Sequence, residues 1–141
     1  MHECDLGVIA NKAQLYNTMS LPVEAGQLLE AGMLVTRSGP VMAAGRGARG
    51  HTVGVIEAGC DSTAGPKVVT VFGSGAVTCV KAGRGIRADQ TALKAWDHGS
   101  VAPMEEEDQP DLFVARVLGP GGVGEVRGSI PVGGHVSVMI E

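Results

Sequence analysis

The stretch Ala25-Gly-Gln-Leu-Leu-Glu-Ala-Gly-Met-Leu-Val35 comes back half a chain later as Ala82-Gly-Arg-Gly-Ile-Arg-Ala-Asp-Gln-Thr-Ala-Leu93. In each copy an Ala-Gly pair is followed three residues on by Leu29 or Ile86, then by Ala31-Gly32 or Ala88-Asp89. A few residues later comes Ser38-Gly39-Pro-Val41 or His98-Gly99-Ser-Val101. Two copies of one pattern in 141 residues leave room for a single domain of two similar half-units, at about 25–81 and 82–141. The 22 glycines fall irregularly, with no G-X-Y period. Glycine accepts positive φ at little cost, so this spacing predicts frequent chain reversals between short strands, an all-β domain.

The strands follow from the apolar runs between turns. They are expected at 27–36, 41–44, 52–57, 67–72, 76–81, 91–96, 111–118 and 135–141. Lys67-Val-Val-Thr-Val-Phe72 is β-branched almost throughout. The Gly73-Ser-Gly75 turn after it predicts a two-strand ribbon with Ala76–Lys81. Aromatic residues are only 3% of the chain, so packing falls to Val, Leu, Ile, Met and Ala in thin layers.

Residues 1–22 read differently. They hold few glycines, and Leu6, Val8, Ile9, Leu15, Tyr16 and Met19 follow no helical or strand period. Burying those side chains is worth about 2 kcal/mol each, whereas ordering each backbone costs about 1–2 kcal/mol. Residues 1–22 are therefore expected to be an extended arm before a β-domain at 23–141, ordered by a partner that takes up its backbone hydrogen bonds. A frayed terminus or an extra strand on its own domain is the alternative.

The chemistry-bearing motifs are weak. Gly45-Arg-Gly-Ala-Arg-Gly50 and Gly119-Pro-Gly-Gly-Val-Gly124 fit G-x-G-x-x-G, but no helix is expected after either to hold a phosphate. Arg46 and Arg49 are expected on a solvated loop or against an acidic surface. His2, His51, His98 and His135 lie apart from one another, so no metal or cofactor is expected. Ser74 reads as a turn residue, and Asp61, Asp89, Asp97 and Asp111 as turn-start caps. Glu105-Glu-Glu-Asp108 reads as a solvated loop. The expectation is no enzyme. Three widely spaced cysteines, Cys4, Cys60 and Cys79, form no disulfide framework. Reduced thiols and synthesis in a cytoplasm are expected, since the first residues lack a signal-peptide pattern and no apolar run reaches membrane length. A net charge of −4 argues against nucleic acid as a partner.

The arm, the Ala-Gly-x-x-Leu-x-Ala-Gly-Met-Leu-Val stretch, Val53-Gly-Val-Ile-Glu-Ala58 and the Val69-Thr-Val-Phe-Gly-Ser-Gly-Ala-Val77 segment together resemble the capsid decoration, or cement, proteins of tailed bacteriophages, over residues 20–141. The resemblance implies a compact β-barrel-like or β-clip domain that forms a homotrimer on the outside of a phage head and bridges major capsid protein subunits. It further implies no membrane and no small-molecule substrate, and an arm that contacts the capsid through Leu6, Val8, Ile9, Leu15, Tyr16 and Met19. The second copy departs from the pattern at Arg84-Gly85 and Asp89. Similar turns occur in the wider β-clip class, so a carbohydrate-type binding module accessory to an enzyme is the other reading.

Overall fold

A computed structural model describes residues 18–37, 40–119, 122–123 and 129–140. They form twelve short strands: β1 (Thr18–Pro22), β2 (Leu28–Leu29), β3 (Leu34–Thr36), β4 (Val53–Ile56), β5 (Cys60–Asp61), β6 (Val68–Phe72), β7 (Val77–Lys81), β8 (Ala92–Ala95), β9 (Val101–Pro103), β10 (Phe113–Gly119), β11 (Gly122–Val123) and β12 (His135–Ile140). The expected all-β class is borne out, with single 3₁₀ turns as the only helical elements among the described residues.

One sheet has the order β1-β6-β4-β3. A second runs β7-β12-β10-β8-β9, with β11 also on β10, and β2 pairs with β5. The larger sheets repeat one plan. β1 pairs with β6 as β7 pairs with β12, five registered residues in each case. β6 meets β4 as β12 meets β10, and β4 meets β3 as β10 meets β8.

The loops repeat it too. A parallel bridge joins Val23 to Val41 in one half and Ala82 to Val101 in the other. The Ala44 amide donates to the Leu34 carbonyl at 3.0 Å, and Met104 to Ala92 at 2.9 Å. The Ala48 amide donates to the Gly45 carbonyl at 3.3 Å, and Asp108 to Glu105 at 3.1 Å. By this bonding Val23 answers to Ala82, while Leu29, paired with Cys60, answers to Ile86, bridged to Ile130. The first copy is therefore two residues longer between these points, because Val23 to Leu29 spans six steps and Ala82 to Ile86 four.

Alternation along the strands of the first sheet feeds two cores. Leu34, Val53, Val55 and Phe72 join Val80, Leu93, Val114, Val136, Val138 and Ile140 in a core shared by both halves. Val35, Ile56 and Val71 point the other way into a smaller core with Val23, Leu29, Met33 and Val41. This is why Val53-Gly-Val-Ile56 is buried at every position.

Three expectations change. The ribbon of residues 67–72 with 76–81 does not form, because β6 lies in the first sheet and β7 in the second. The turn between them is a crossover, fixed where the Gly75 amide donates to Ile140 at 2.7 Å and the Ile140 amide to Ala76 at 2.9 Å. Residues 27–36 form two strands rather than one, because Gly32, at φ +85°, reverses the chain between them. Finally, Cys79 is disulfide-bonded, whereas Cys60 is a free, half-buried thiol; three cysteines leave one over in any single pairing.

Candidate functional site

The last five residues of the expected arm, Thr18–Pro22, are β1, at the end of the first sheet. Pairing to β6 satisfies one side of this strand, and among the described residues no strand lies on the other. β1 carries no charged residue to blunt that edge. Of the expected contact residues, Met19 sits here at 38% exposure; Leu6, Val8, Ile9, Leu15 and Tyr16 lie outside the described residues. Val68, opposite Pro22, is 69% exposed and extends the apolar edge. The equivalent strand β7 is covered, with Thr78, Cys79 and Val80 at 3%, 4% and 0%. An unpaired edge of this kind accepts an additional strand from a partner.

Arg46 and Arg49 meet acidic groups of their own chain. Arg46 makes a two-pronged pair with Asp97 at 2.6 and 2.7 Å, and its guanidinium lies 3.8 Å from the centre of the Trp96 ring. Arg49 pairs with Asp111. Of the four expected turn caps, Asp61 fills that role, accepting from the Thr63 amide at 2.9 Å. Asp97 and Asp111 hold arginines instead, and Asp89 both holds Arg87 and accepts from its own backbone. The acidic loop is partly used as well, since Glu105 pairs with Arg84 and Asp108 with Lys94 at 2.6 Å.

The hydrogen bond from Arg46 holds the Asp97 carboxyl below its ordinary range, and that from Lys94 does the same for Asp108. A depressed carboxylate pKa means that the folded chain binds fewer protons, so the stabilisation is complete above the unfolded pKa and lost as pH falls through the folded value. Melting temperature should therefore stay level down to about pH 5 and drop below about pH 4. Thermal melts across that range check it. Asp97→Asn should flatten the acid limb, and an unchanged slope would show that the pair contributes nothing.

A cleft of about 420 Å³ lies between the halves, lined by Leu28, Glu30, Met33, Lys81, His98 and His135 among others. Lys81 and His135 are registered partners on β7 and β12, which places their side chains on one face. His98 is the one described non-glycine residue at positive φ, +50°. Its turn is held by the Gly99 amide on Ala44 at 2.8 Å and the Trp96 amide on Ser100 at 2.9 Å. Among the described residues no three His, Cys, Asp or Glu side chains are grouped to hold a metal.

The fold is similar to that of a phage head fiber base. The N base of head fiber gp8.5 of bacteriophage phi29 matches with a TM-score of 0.56 and 18% identity, over 88% of this chain and 94% of that one. No known protein family and no curated protein matches the sequence.

Sequence reasoning did not find the cleft. Its signal lay in the repeat: aligned through Val23 and Ala82, the halves place Pro22 and Val68 where Lys81 and His135 stand.

Proposed function

We propose that the chain is a structural protein of a phage head, a capsid decoration protein that binds the outside of the shell as a homotrimer and bridges major capsid protein subunits, with no catalysis. The observation that carries this reading is the likeness of fold to the phi29 head fiber base, which extends over nearly the whole of that chain. The open edge of β1 supports it, because the residues expected to touch the capsid lead directly into that strand. Three arms on one trimer would multiply weak contacts through effective concentration.

The test is co-sedimentation with empty phage shells, alongside sedimentation equilibrium of the free protein. A trimer that pellets with shells is the expected result. A monomer that ignores shells would sink the proposal and favour the carbohydrate-type module. Deletion of residues 1–17, which stops short of β1 but removes Cys4, should leave the domain folded and abolish pelleting. Undiminished binding would show that the arm is not the anchor.

A further inference from the structure

The two halves share their backbone plan but differ in charge at two places, with opposite sign. Loops 45–49 and 105–109 each span five residues between equivalent bonds and carry the same turn bond, Ala48 to Gly45 and Asp108 to Glu105. One reads Gly-Arg-Gly-Ala-Arg and the other Glu-Glu-Glu-Asp-Gln. At the strand ends, Pro22 and Val68 in the first half are replaced by Lys81 and His135 in the second. The first half folds on the same plan without these charges, so the shared fold does not require them.

The chain consumes only part of them, since Glu105 and Asp108 pair with Arg84 and Lys94. Arg46 and Arg49 are matched by Asp97 and Asp111. Glu106 and Glu107, both exposed, have no ion pair among the described residues, and neither have Lys81, His98 and His135 in the cleft. The cleft is rimmed by Leu28 at 65% exposure, and Val132, 68% exposed, stands in the turn before His135. It therefore sets the Lys81 ammonium and two imidazoles, with Glu30 also on the lining, beside apolar surface, a set of donors able to take a carboxylate-bearing loop. The chain as a whole is net negative at −4, so copies repel one another unless such patches meet.

We infer that the cleft holding Lys81, His98 and His135 receives the Glu106-Glu107 loop of a second copy of this chain. Because the two patches are different surfaces of one molecule, the contact is head-to-tail, the kind that closes into a ring when the rotation allows. The inference rests on the trimer reading and gives its interface.

The test is charge reversal read by sedimentation equilibrium. Lys81→Glu and the pair Glu106→Lys with Glu107→Lys should each weaken the trimer about tenfold or more, and the combined variant should recover most of that loss. High salt should weaken the wild-type trimer as well. All the altered side chains are exposed, and an unchanged melting curve for each monomer separates lost association from lost fold. A trimer indifferent to both reversals would overturn this interface while leaving the trimer standing. A wild-type protein that stays monomeric would overturn both. A trimer that obeys the charge swap yet ignores shells would retain the interface and remove the head-binding function.

Discussion

Gly50→Ala is expected to destabilise the protein by at least about 3 kcal/mol, lowering the melting temperature by roughly 10 °C. Gly50 is buried in the 3₁₀ turn before β4, where that turn packs against the first residue of β10. A β-carbon there would overlap the Phe113 carbonyl oxygen and stand 3.0 Å from its carbon. Both atoms are backbone, so no rotamer change relieves the overlap, and the two halves would have to move apart. Gly45, five residues earlier, has nothing within 4 Å of the same position and no positive φ; Gly45→Ala should be neutral. Thermal melts of the two variants check the contrast. Equal stability would mean that the turn can shift at no cost.

Leu93→Ala should cost about 3 kcal/mol, within the usual range for truncating a buried leucine. Leu93 is fully buried on β8, registered against Ala115 of β10 and Pro103 of β9. It lies in the core to which both halves contribute. With few aromatic side chains to slide into the gap, the cavity should stay open. Leu28→Ala is the control, since that side chain is 65% exposed. A midpoint in denaturant that falls for Leu93→Ala without a change in slope is the expected signature.

Much of this architecture was legible in the residues. Val53–Ile56, Val68–Phe72, Ala92–Ala95 and His135–Ile140 are strands where β-branched or alternating runs predicted them. What sequence could not supply was pairing. The Gly73–Gly75 turn looks like a hairpin locally, but β6 finds β1 and β4, and β7 finds β12, more than fifty residues further on. Local turn chemistry does not encode which edge a strand will meet. The repeat was visible through Leu29 and Ile86, yet a two-residue difference ahead of them hid the equivalence of Val23 with Ala82. With it went the comparison that sets Lys81 and His135 apart. The arginine loop was legible only as a loop either solvated or facing acid, and not which acid it met, because Arg46 and Asp97 are brought together only by the fold.

The shared core has a consequence for how the chain is made. β12, the last described strand, sits between β7 and β10 inside the second sheet, and its Val136, Val138 and Ile140 close the core over Leu34, Val53, Val55 and Phe72 of the first half. A ribosome adding roughly 5–20 residues per second would leave that apolar face waiting several seconds for its cover. The first half, with its own smaller core, can hold a partial shape meanwhile, whereas the second cannot complete its sheet until β12 has emerged. Folding should accordingly be a single late event, slow for the size of the chain. During that interval β7 and the side of β10 that β12 will cover stay unpaired, and they are the places where a nascent chain would meet its neighbours on the same message.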